Sequence, residues 1–376
     1  MPTLPSVIVA LSGGVDSAVS ALLLRDAGYG VQCLHMSNWE DDDGYCEAAR
    51  DYQDAYTVCR QLGLPLHRVN FAREYRDRVF ARFLDEHRAG RTPNPDVLCN
   101  REIKFGTLHA YARRLGAPLL ATGHYGRLDS TSGRPRLLKA RDRSKDQSYF
   151  LHAVRGEDFA DVVFPLGDLL KTEVRALARA AGIAVSGKKD STGICFIGER
   201  PFADFLSRYL PPAPGPIRTP DGELLGTHRG LAFYTLGQRH GLHLGGRKNF
   251  GDAPWYVAAK RADDNTLVVV QRCDHPLLMQ NWLHATAMHW IETPSQWHAR
   301  GTLSCTAKTR YRQPDVACTV RRTGSTGIEV EFAVPQRAIT PGQYVVLYDG
   351  DHCLGGATIA HAALRETVPA RAVQTG

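Results

Sequence analysis

A six-residue stretch, Ser12-Gly13-Gly14-Val15-Asp16-Ser17, restricts the fold of this chain more than any other segment. It stands between Val7–Leu11, an apolar run that reads as a buried strand, and Ala18–Ala27, which reads as the following helix. Two glycines let the backbone approach an oxyanion and adopt conformations closed to other residues. Successive amide N–H groups and the helix N-terminus then present positive potential to phosphate. Ser12 and Ser17 add hydroxyl donors, and Asp16 has the chemistry to position a metal held by the phosphates. Ser12 can instead cap the helix, with the glycines making a tight turn. The strand before, the helix after and the location at the first β-α junction favour the phosphate site.

Strands and helices continue to alternate beyond this loop. Val31–Met36, Leu66–Phe71 and Pro118–Thr122 read as strands; Glu47–Leu62, a charged stretch from Glu74 to Arg88, and Ile103–Leu115 read as helices. This predicts parallel β-α-β units with helices on both sheet faces. Ligands of such a sheet sit at the carboxyl ends of its strands. The pattern loosens after Ala140, where Gly167–Ala181 reads as a helix and Ser186–Gly198 as loop. Pro211-Pro212-Ala213-Pro214-Gly215-Pro216 is too proline-rich for a helix or a central strand, and a domain boundary is expected just before it. Beyond it, turns are expected at Asp221-Gly222, Asp263-Asp264-Asn265, Thr323–Thr326 and Pro341-Gly342. Gly301–Tyr311, Val316–Arg322, Gly327–Val334 and Tyr344–Tyr348 read as strands of a small barrel or sandwich. The expected units are residues 1–205, 206–278 and 279–366, with 367–376 as a tail.

The 376 residues suffice for two or three domains, and 43% hydrophobic with 23% charged residues excludes a disordered or collagen-like chain. No apolar run approaches the ~18–20 residues that span a bilayer. Met1–Pro5 lacks the pattern of a secretory signal, so a cytoplasmic location with no membrane partner is expected. The net charge of +7 is compatible with a polyanionic partner. Nine cysteines without a C-x-x-C pair argue against a disulfide scaffold and a zinc ribbon, and no ligand spacing supports a protein-bound metal. Cys33, Cys59, Cys273, Cys305, Cys318 and Cys353 fit inert packing, and Cys46 beside an acidic loop is open. Cys99 and Cys195 differ, with polar flanks, nearby cations and expected loop positions. A thiol near a helix N-terminus has its thiolate stabilised, and Arg101 and Lys104 add positive charge near Cys99. Gly182–Lys188 imitates a Walker A loop, but Lys189 stands where Ser or Thr is required and no apolar strand leads in.

The hexapeptide resembles the pyrophosphate loop of the PP-loop ATP pyrophosphatases, which cleave ATP between the α and β phosphates and adenylate a carbonyl-type oxygen. Over nearly its full length the chain resembles the bacterial tRNA-specific 2-thiouridylases. The match is carried by Ser12–Ser17, Asn94–Asn100, Ala121–Tyr125, Lys145–Phe150, Asp190–Glu199, Leu236–Arg239, Lys308–Arg312 and Pro341–Gln343. The resemblance implies an adenine nucleotide α-hydrolase-like parallel-sheet domain, a small central β-rich domain and a C-terminal β-barrel. It implies that ATP, with Mg²⁺, adenylates the C2 oxygen of the wobble uridine of tRNA, and that sulfur from a persulfide on Cys195 replaces it. Cys99 is then the nucleophile, with a transient Cys99–Cys195 disulfide on one route. Asp96 is an acid/base candidate whose alternative is a helix cap. ATP contacts carry over to Ala10, Leu11, Ser12, Gly13, Gly14, Val15, Asp16, Ser17, Met36 and Gly123. Contacts to tRNA carry over to Asn94, Pro95, Asp96, His124, Lys145, Asp146, Gln147, Arg310, Tyr311 and Gln343. A cysteine desulfurase or relay carrier supplies the sulfur, and the enzyme is expected to act as a monomer.

Basic residues of the β-rich part fit an RNA partner: Lys308, Arg310, Arg312, Arg321, Arg322 and Arg337 stand against Asp315, Glu329 and Glu331. Two other classes remain open to the sequence. An adenylating enzyme such as argininosuccinate synthetase shares a similar first loop but needs neither cysteine nor RNA. A non-catalytic RNA-binding or sulfur-carrier protein leaves the pyrophosphate loop without a purpose.

Overall fold

The computed structural model describes residues 4–39, 47–131, 133–190, 201–245 and 250–365. Cys46, residues 191–198 of the expected loop and the tail 367–376 lie outside them. The first unit contains strands β1 (Ser6–Ala10), β2 (Gly30–Ser37), β3 (Leu66–Asn70) and β4 (Leu119–Thr122), a hairpin of β5 (Arg127–Asp129) and β6 (Arg136–Leu138), and β7 (Val162–Val163). Helix α1 (Val15–Asp26) follows β1 and α2 (Glu47–Leu62) follows β2. The parallel sheet runs β3-β2-β1-β4-β7. Alternation along β1 fixes its two faces. Val7 and Val9 pack with Ala18, Val19 and Leu22 of α1 and with Val58 of α2. Ile8 faces the opposite layer, with Phe80, Ile103, Phe105 and Leu108. The chain runs outward from β1 to β3 and returns to β4 on the other side of β1. The order therefore reverses between β1 and β4, where the carboxyl ends of a parallel sheet open a ligand crevice.

The middle unit comprises β8 (Gly215–Arg218), β9 (Leu224–His228), β10 (Trp255–Arg261) and β11 (Thr266–Gln271), ordered β10-β11-β8-β9. This corrects the expectation that the proline run avoids central strands. Pro216 is the second residue of β8, paired on one side with Thr227, whereas β11 joins only from Ile217 onward. The missing N–H at Pro216 thus costs no bond to β11.

The last unit comprises β12 (Met279–Trp290), β13 (Thr302–Lys308), β14 (Val316–Thr323), β15 (Gly327–Arg337), β16 (Tyr344–Asp349) and β17 (His352–Ala363). They run β12-β15-β14-β13-β16-β17, and β17 returns to pair with β12, closing a six-stranded barrel. Closure decides for the barrel over the sandwich. Leu283, Val320, Val330, Val345 and Leu347 fill it and are fully buried. Leu138 of β6 pairs with His352 of β17, so the hairpin of the first unit extends the barrel sheet. No helix among the described residues is long and apolar enough to cross a membrane.

The three units are joined by specific polar contacts. One Arg310 Nη donates to the carbonyls of Leu236 (2.8 Å) and Ala338 (2.9 Å), tying the middle unit to the barrel. Thr92 N–H donates to Pro341 O at 2.9 Å, and the Gln343 amide donates to Thr92 O at 2.7 Å, tying the barrel to the first unit. Gly342 sits in this second contact with φ +90, and a Cβ there would lie 2.9 Å from Thr92 N and 3.0 Å from Arg91 Cβ.

Gly342→Ala is expected to destabilise the protein by about 1–3 kcal/mol through strain and clash together. Gly350→Ala has a similar left-handed backbone, φ +56, but nothing within 4 Å, and should cost only about 1–2 kcal/mol. Urea unfolding of both variants checks the difference, and equal midpoints would refute the interlocking role of Gly342.

Candidate functional site

The phosphate-loop candidate lies at the sheet reversal. Leu11 N–H donates to Leu34 O at 2.9 Å, carrying β1 pairing one residue past the strand. Helix α1 starts at Val15, earlier than the expected Ala18, and its N-cap is Gly14 without any side-chain cap. Ser12 is therefore no helix cap. Its hydroxyl lies 3.1 Å from the Ser17 hydroxyl, and Ser17 Oγ donates to Gly14 O at 3.1 Å, which folds the loop back on itself. Gly13 has φ +82, and a Cβ there would stand 2.4 Å from Asp51 O. Gly123, just beyond β4, leaves no room either: a Cβ would lie 2.8 Å from Ser17 N and 2.9 Å from the Asp16 carbonyl carbon. Both glycines are required by close backbone approach. Met36 is half-buried near the end of β2, opposite Val69.

Asp16 is held by groups that the sequence did not single out. Lys171 Nζ lies 2.6 and 2.8 Å from its two oxygens, and the Tyr125 hydroxyl donates to it at 2.9 Å. Burial and the Asp16 charge push the Tyr125 phenol up, so it stays a donor. Lys188, in the segment that imitates a Walker loop, donates to Gly13 O at 3.2 Å, Asp51 at 2.8 Å and Asp54 at 2.6 Å. Burial opposes its charge, but Asp51 and Asp54 hold it above the ordinary lysine range. No strand leads into this segment, so it borders the nucleotide loop without being one. Lys171 and Lys188 stand more than 150 residues from the loop in sequence; no local signal marks Lys171, and Lys188 is marked only by the Walker A imitation.

Cys99 is not in a loop. Asn94 caps a helical run over 95–114, its side chain accepting from Asp96 N–H at 3.2 Å, and Pro95 occupies the first helical position. Asn-Pro is itself a helix-start signal, which places the start eight residues before the expected Ile103. Cys99 thus lies in the second turn and is 1% exposed. From Cys99 to Leu108 the helix widens into π-type turns, a geometry frequent at functional sites. Asp96 is not the cap. Burial pushes its carboxyl above the ordinary aspartate range, opposed by the Lys104 charge. The Lys104 ammonium also lies 3.3 Å from His124 Nε2. An ammonium has only donors, so Nε2 accepts and Nδ1–H donates to Thr122 Oγ1 at 2.7 Å. Burial, and then Lys104, keeps this imidazole neutral.

Of the RNA-contact candidates, Arg310 has its guanidinium committed to Leu236 O, Ala338 O and Thr340 Oγ1, and the others fall into two groups. Tyr311 from the barrel packs at a tilt against Phe150 with ring centroids 4.4 Å apart, and its hydroxyl donates to Lys145 O at 3.4 Å. Phe150 O in turn accepts from the Asn100 amide at 3.0 Å, next to Cys99. Phe150 N–H donates to Gln147 O at 2.9 Å, so Lys145, Gln147, Tyr311 and the Cys99 helix are joined, and Gln343 reaches Thr92, two residues before the Asn94 cap. The second group is more enclosed. Asp146 is 5% exposed, with its carboxylate taking Ala140 N–H at 3.0 Å and the Ser148 hydroxyl at 2.9 Å. His124 is 8% exposed, beside Phe105 and Phe164. The barrel's basic excess is partly spent internally, with Arg321 on Glu331, Arg322 over Trp297 and Lys308 near Asp315. Cys195 lies outside the described residues.

Comparison with known proteins agrees with this architecture. The model of the tRNA methyl transferase HUP domain matches residues 5–199, that of the tRNA methyl transferase PRC-barrel domain matches 203–271, and that of the aminomethyltransferase beta-barrel domain matches 280–359. The tRNA-specific 2-thiouridylase MnmA of Methylococcus capsulatus is 58% identical over 94% of this chain and 96% of its own. Its counterpart in Pseudomonas fluorescens SBW25 is 55% identical over 94% of both chains. That of Burkholderia multivorans is 54% identical over 95% of this chain and 93% of its own. Among solved structures, a 4-thiouridine synthetase–RNA complex with bound ATP aligns over 54% of this chain and 49% of its own, at 18% identity and a TM-score of 0.33, too low to add weight. With that identity over nearly its whole length, and a nucleotide loop at the sheet reversal, the chain belongs to the tRNA-specific 2-thiouridylase family.

Proposed function

We propose that this protein is a tRNA-uridine 2-sulfurtransferase that uses ATP to replace the C2 oxygen of the wobble uridine, U34, with sulfur, giving 2-thiouridine, AMP and pyrophosphate. One observation carries the proposal within the family: the glycine-serine loop under Gly123 is tied through Lys171, Asp190 and Lys145 to the segment that meets Tyr311. Nucleotide and RNA candidates thus share one connected site.

The chemistry follows from the groups present. The loop amides and the start of α1 receive the phosphates. Lys171 and Lys188 stand at the same loop, where charge develops on departing pyrophosphate. The uridine C2 oxygen attacks the α-phosphate, and AMP becomes its leaving group. Sulfur arrives as a persulfide on Cys195 from a cysteine desulfurase or a relay carrier. Cys99 either attacks C2, displacing AMP, is itself displaced there by the outer sulfur of the Cys195 persulfide and then attacks the Cys195 sulfur to free 2-thiouridine, or attacks the persulfide directly and releases sulfide, which displaces AMP from C2. Either route ends in a Cys99–Cys195 disulfide that an external thiol must reduce, and both need two thiols within disulfide reach. Asp96, with its raised pKa and its place beside the Asn94–Pro95 segment, suits proton transfer near the target base. An anticodon loop presents unpaired bases, which lowers the cost of reaching C2.

Magnesium belongs here to the substrate. Mg²⁺ commonly binds through one or two carboxylates together with nucleotide phosphates. Asp16 is the carboxylate of the loop, and Lys171 and Tyr125 already engage it. The described residues contain no cluster of three His, Cys, Asp or Glu side chains suited to a metal. Asp16 is thus the carboxylate that would meet a magnesium ion carried in by the nucleotide phosphates.

Reconstitution with ATP, Mg²⁺, a persulfide donor and unmodified tRNA should yield 2-thiouridine at position 34, read by mass spectrometry of digested tRNA. Cys99→Ser and Cys195→Ser should each abolish it. AMP without thiouridine from wild type, given a competent donor, would leave an adenylating enzyme and refute sulfur transfer.

Asp96 supplies a second test. A folded-state pKa above the ordinary aspartate value means that the folded protein holds the proton more tightly than the unfolded chain. Its contribution to stability is then greatest below pH ~4 and falls as pH rises through the folded pKa. Asp96→Asn should stabilise the protein at pH 8 relative to wild type and lose that advantage near pH 4. Its thiolation rate should drop about 10²–10⁴-fold if the carboxyl transfers the proton. Stability and rate are measured by thermal unfolding and single-turnover assay at both pH values.

A further inference from the structure

Asp190 lies where the nucleotide and RNA sides of the site meet. Its carboxylate accepts from Lys145 Nζ at 2.7 Å and Arg175 Nη at 2.7 Å, and Lys171 Nζ lies 2.8 Å away. Lys145 comes from the loop that touches Tyr311 of the barrel. Lys171 and Arg175 come from one helix, Lys171–Ala180, four residues apart on one face. Lys171 also holds both oxygens of Asp16 in the nucleotide loop, at 2.6 and 2.8 Å. One carboxylate therefore grips a cation of the phosphate loop and a cation of the RNA loop. Burial works against its charge, yet the hydrogen bonds from Lys145 and Lys171 bring its pKa down to about 2, so it is ionised throughout the working range.

The donor count makes this contact consequential. An ammonium has three N–H donors, and Lys171 directs them at two oxygens of Asp16 and one of Asp190. The phosphates of ATP can draw on Lys171 only in competition with Asp16 and Asp190. If they succeed, Asp190 is left to Lys145 and Arg175. An RNA phosphate that draws on Lys145 leaves Asp190 to Lys171 and Arg175. Either event changes the free energy of the other, because both pass through the same carboxylate. Such a change is by necessity reciprocal.

We propose that Asp190 is a positioning residue that couples nucleotide binding to tRNA binding by sharing Lys171 and Lys145 between the two loops. This rests on the ATP and tRNA roles proposed above. It assigns a role to the aspartate that opens the Asp190–Glu199 motif, distinct from the thiol chemistry of Cys195.

The test uses the full-length protein, an unmodified tRNA transcript and an ATP analogue with a methylene bridge between the α and β phosphates. Filter binding gives the tRNA Kd with and without the analogue, and calorimetry gives the analogue Kd with and without tRNA. In wild type both ratios should agree and differ from one by about fivefold or more. In Asp190→Asn, which keeps the shape and removes the charge, both ratios should collapse to one. Asp190→Glu, which restores the charge, should recover part of the effect, as lost folding would not. Should Asp190→Asn fail to fold, Lys145→Gln on its half-buried loop should show the same collapse. Wild-type ratios of one, or ratios unchanged in a folded Asp190→Asn, overturn the coupling while thiolation of tRNA by the same preparation leaves the proposed function standing. Wild type that binds no tRNA or no analogue overturns both.

Discussion

The close approach of β4 to the first turn of α1 sets the geometry of the whole site. Gly123 lies where any side chain would strike Ser17 N or the Asp16 backbone, so strand end and helix start meet without an intervening atom. That contact exists because the sheet order reverses at β1, leaving β4 alone to cover this flank of the loop. The start of α1 thereby lies directly against the chain that continues through the buried His124 and Tyr125. The hydroxyl of Tyr125 then reaches Asp16.

Charge placement explains why this crevice can hold Asp16 at all. A carboxylate beside a phosphate loop repels the ligand unless it is neutralised, and Lys171, 8% exposed, supplies the cation. Burying an ammonium is costly in turn unless it has several anionic partners. Lys171 has two, and the second of them, Asp190, is shared with Lys145 and Arg175. The alternation of signs spreads the desolvation cost over a network with its outer members half-exposed. Removing Lys171 would take the cation from Asp16, and removing Asp190 would take the carboxylate from Lys145, so the network behaves as a unit.

What could be read from the sequence follows the range of the interaction. The phosphate loop is a local feature: strand, glycines, serines and helix lie within about 20 residues, and each carries its own signature. The helix start at Asn94-Pro95 is equally local, but Pro93 and Pro95, on either side of Asn94, also favour extended chain, so from sequence Cys99 reads as a loop residue. Lys171 carries no signature and Lys188 only a misleading one, because their meaning arises only when the fold brings them to Asp16 and Gly13. The closing strands β12 and β17 were also missed. β17 contains Gly355-Gly356, whose lack of side chains weakens a strand pattern but admits the His289 carbonyl of β12 at the barrel seam.

The placement of the barrel completes the physical account. Its Pro341–Gln343 turn is bonded to Thr92 and Pro93, the residues that deliver the chain to the Asn94 cap. Its Tyr311 packs on Phe150, whose carbonyl holds the Asn100 amide beside Cys99. The helix bearing Cys99 and Asp96 is thus gripped by the barrel at its start and again one turn later, from two loops that diverge from a common β structure. A barrel that served only as an RNA platform would need neither contact. Gripping the helix at both points makes the orientation of Asp96 and Cys99 depend on where the barrel sits, so an RNA bound across both units, as proposed above, would also fix the helix that carries the two proposed reacting groups.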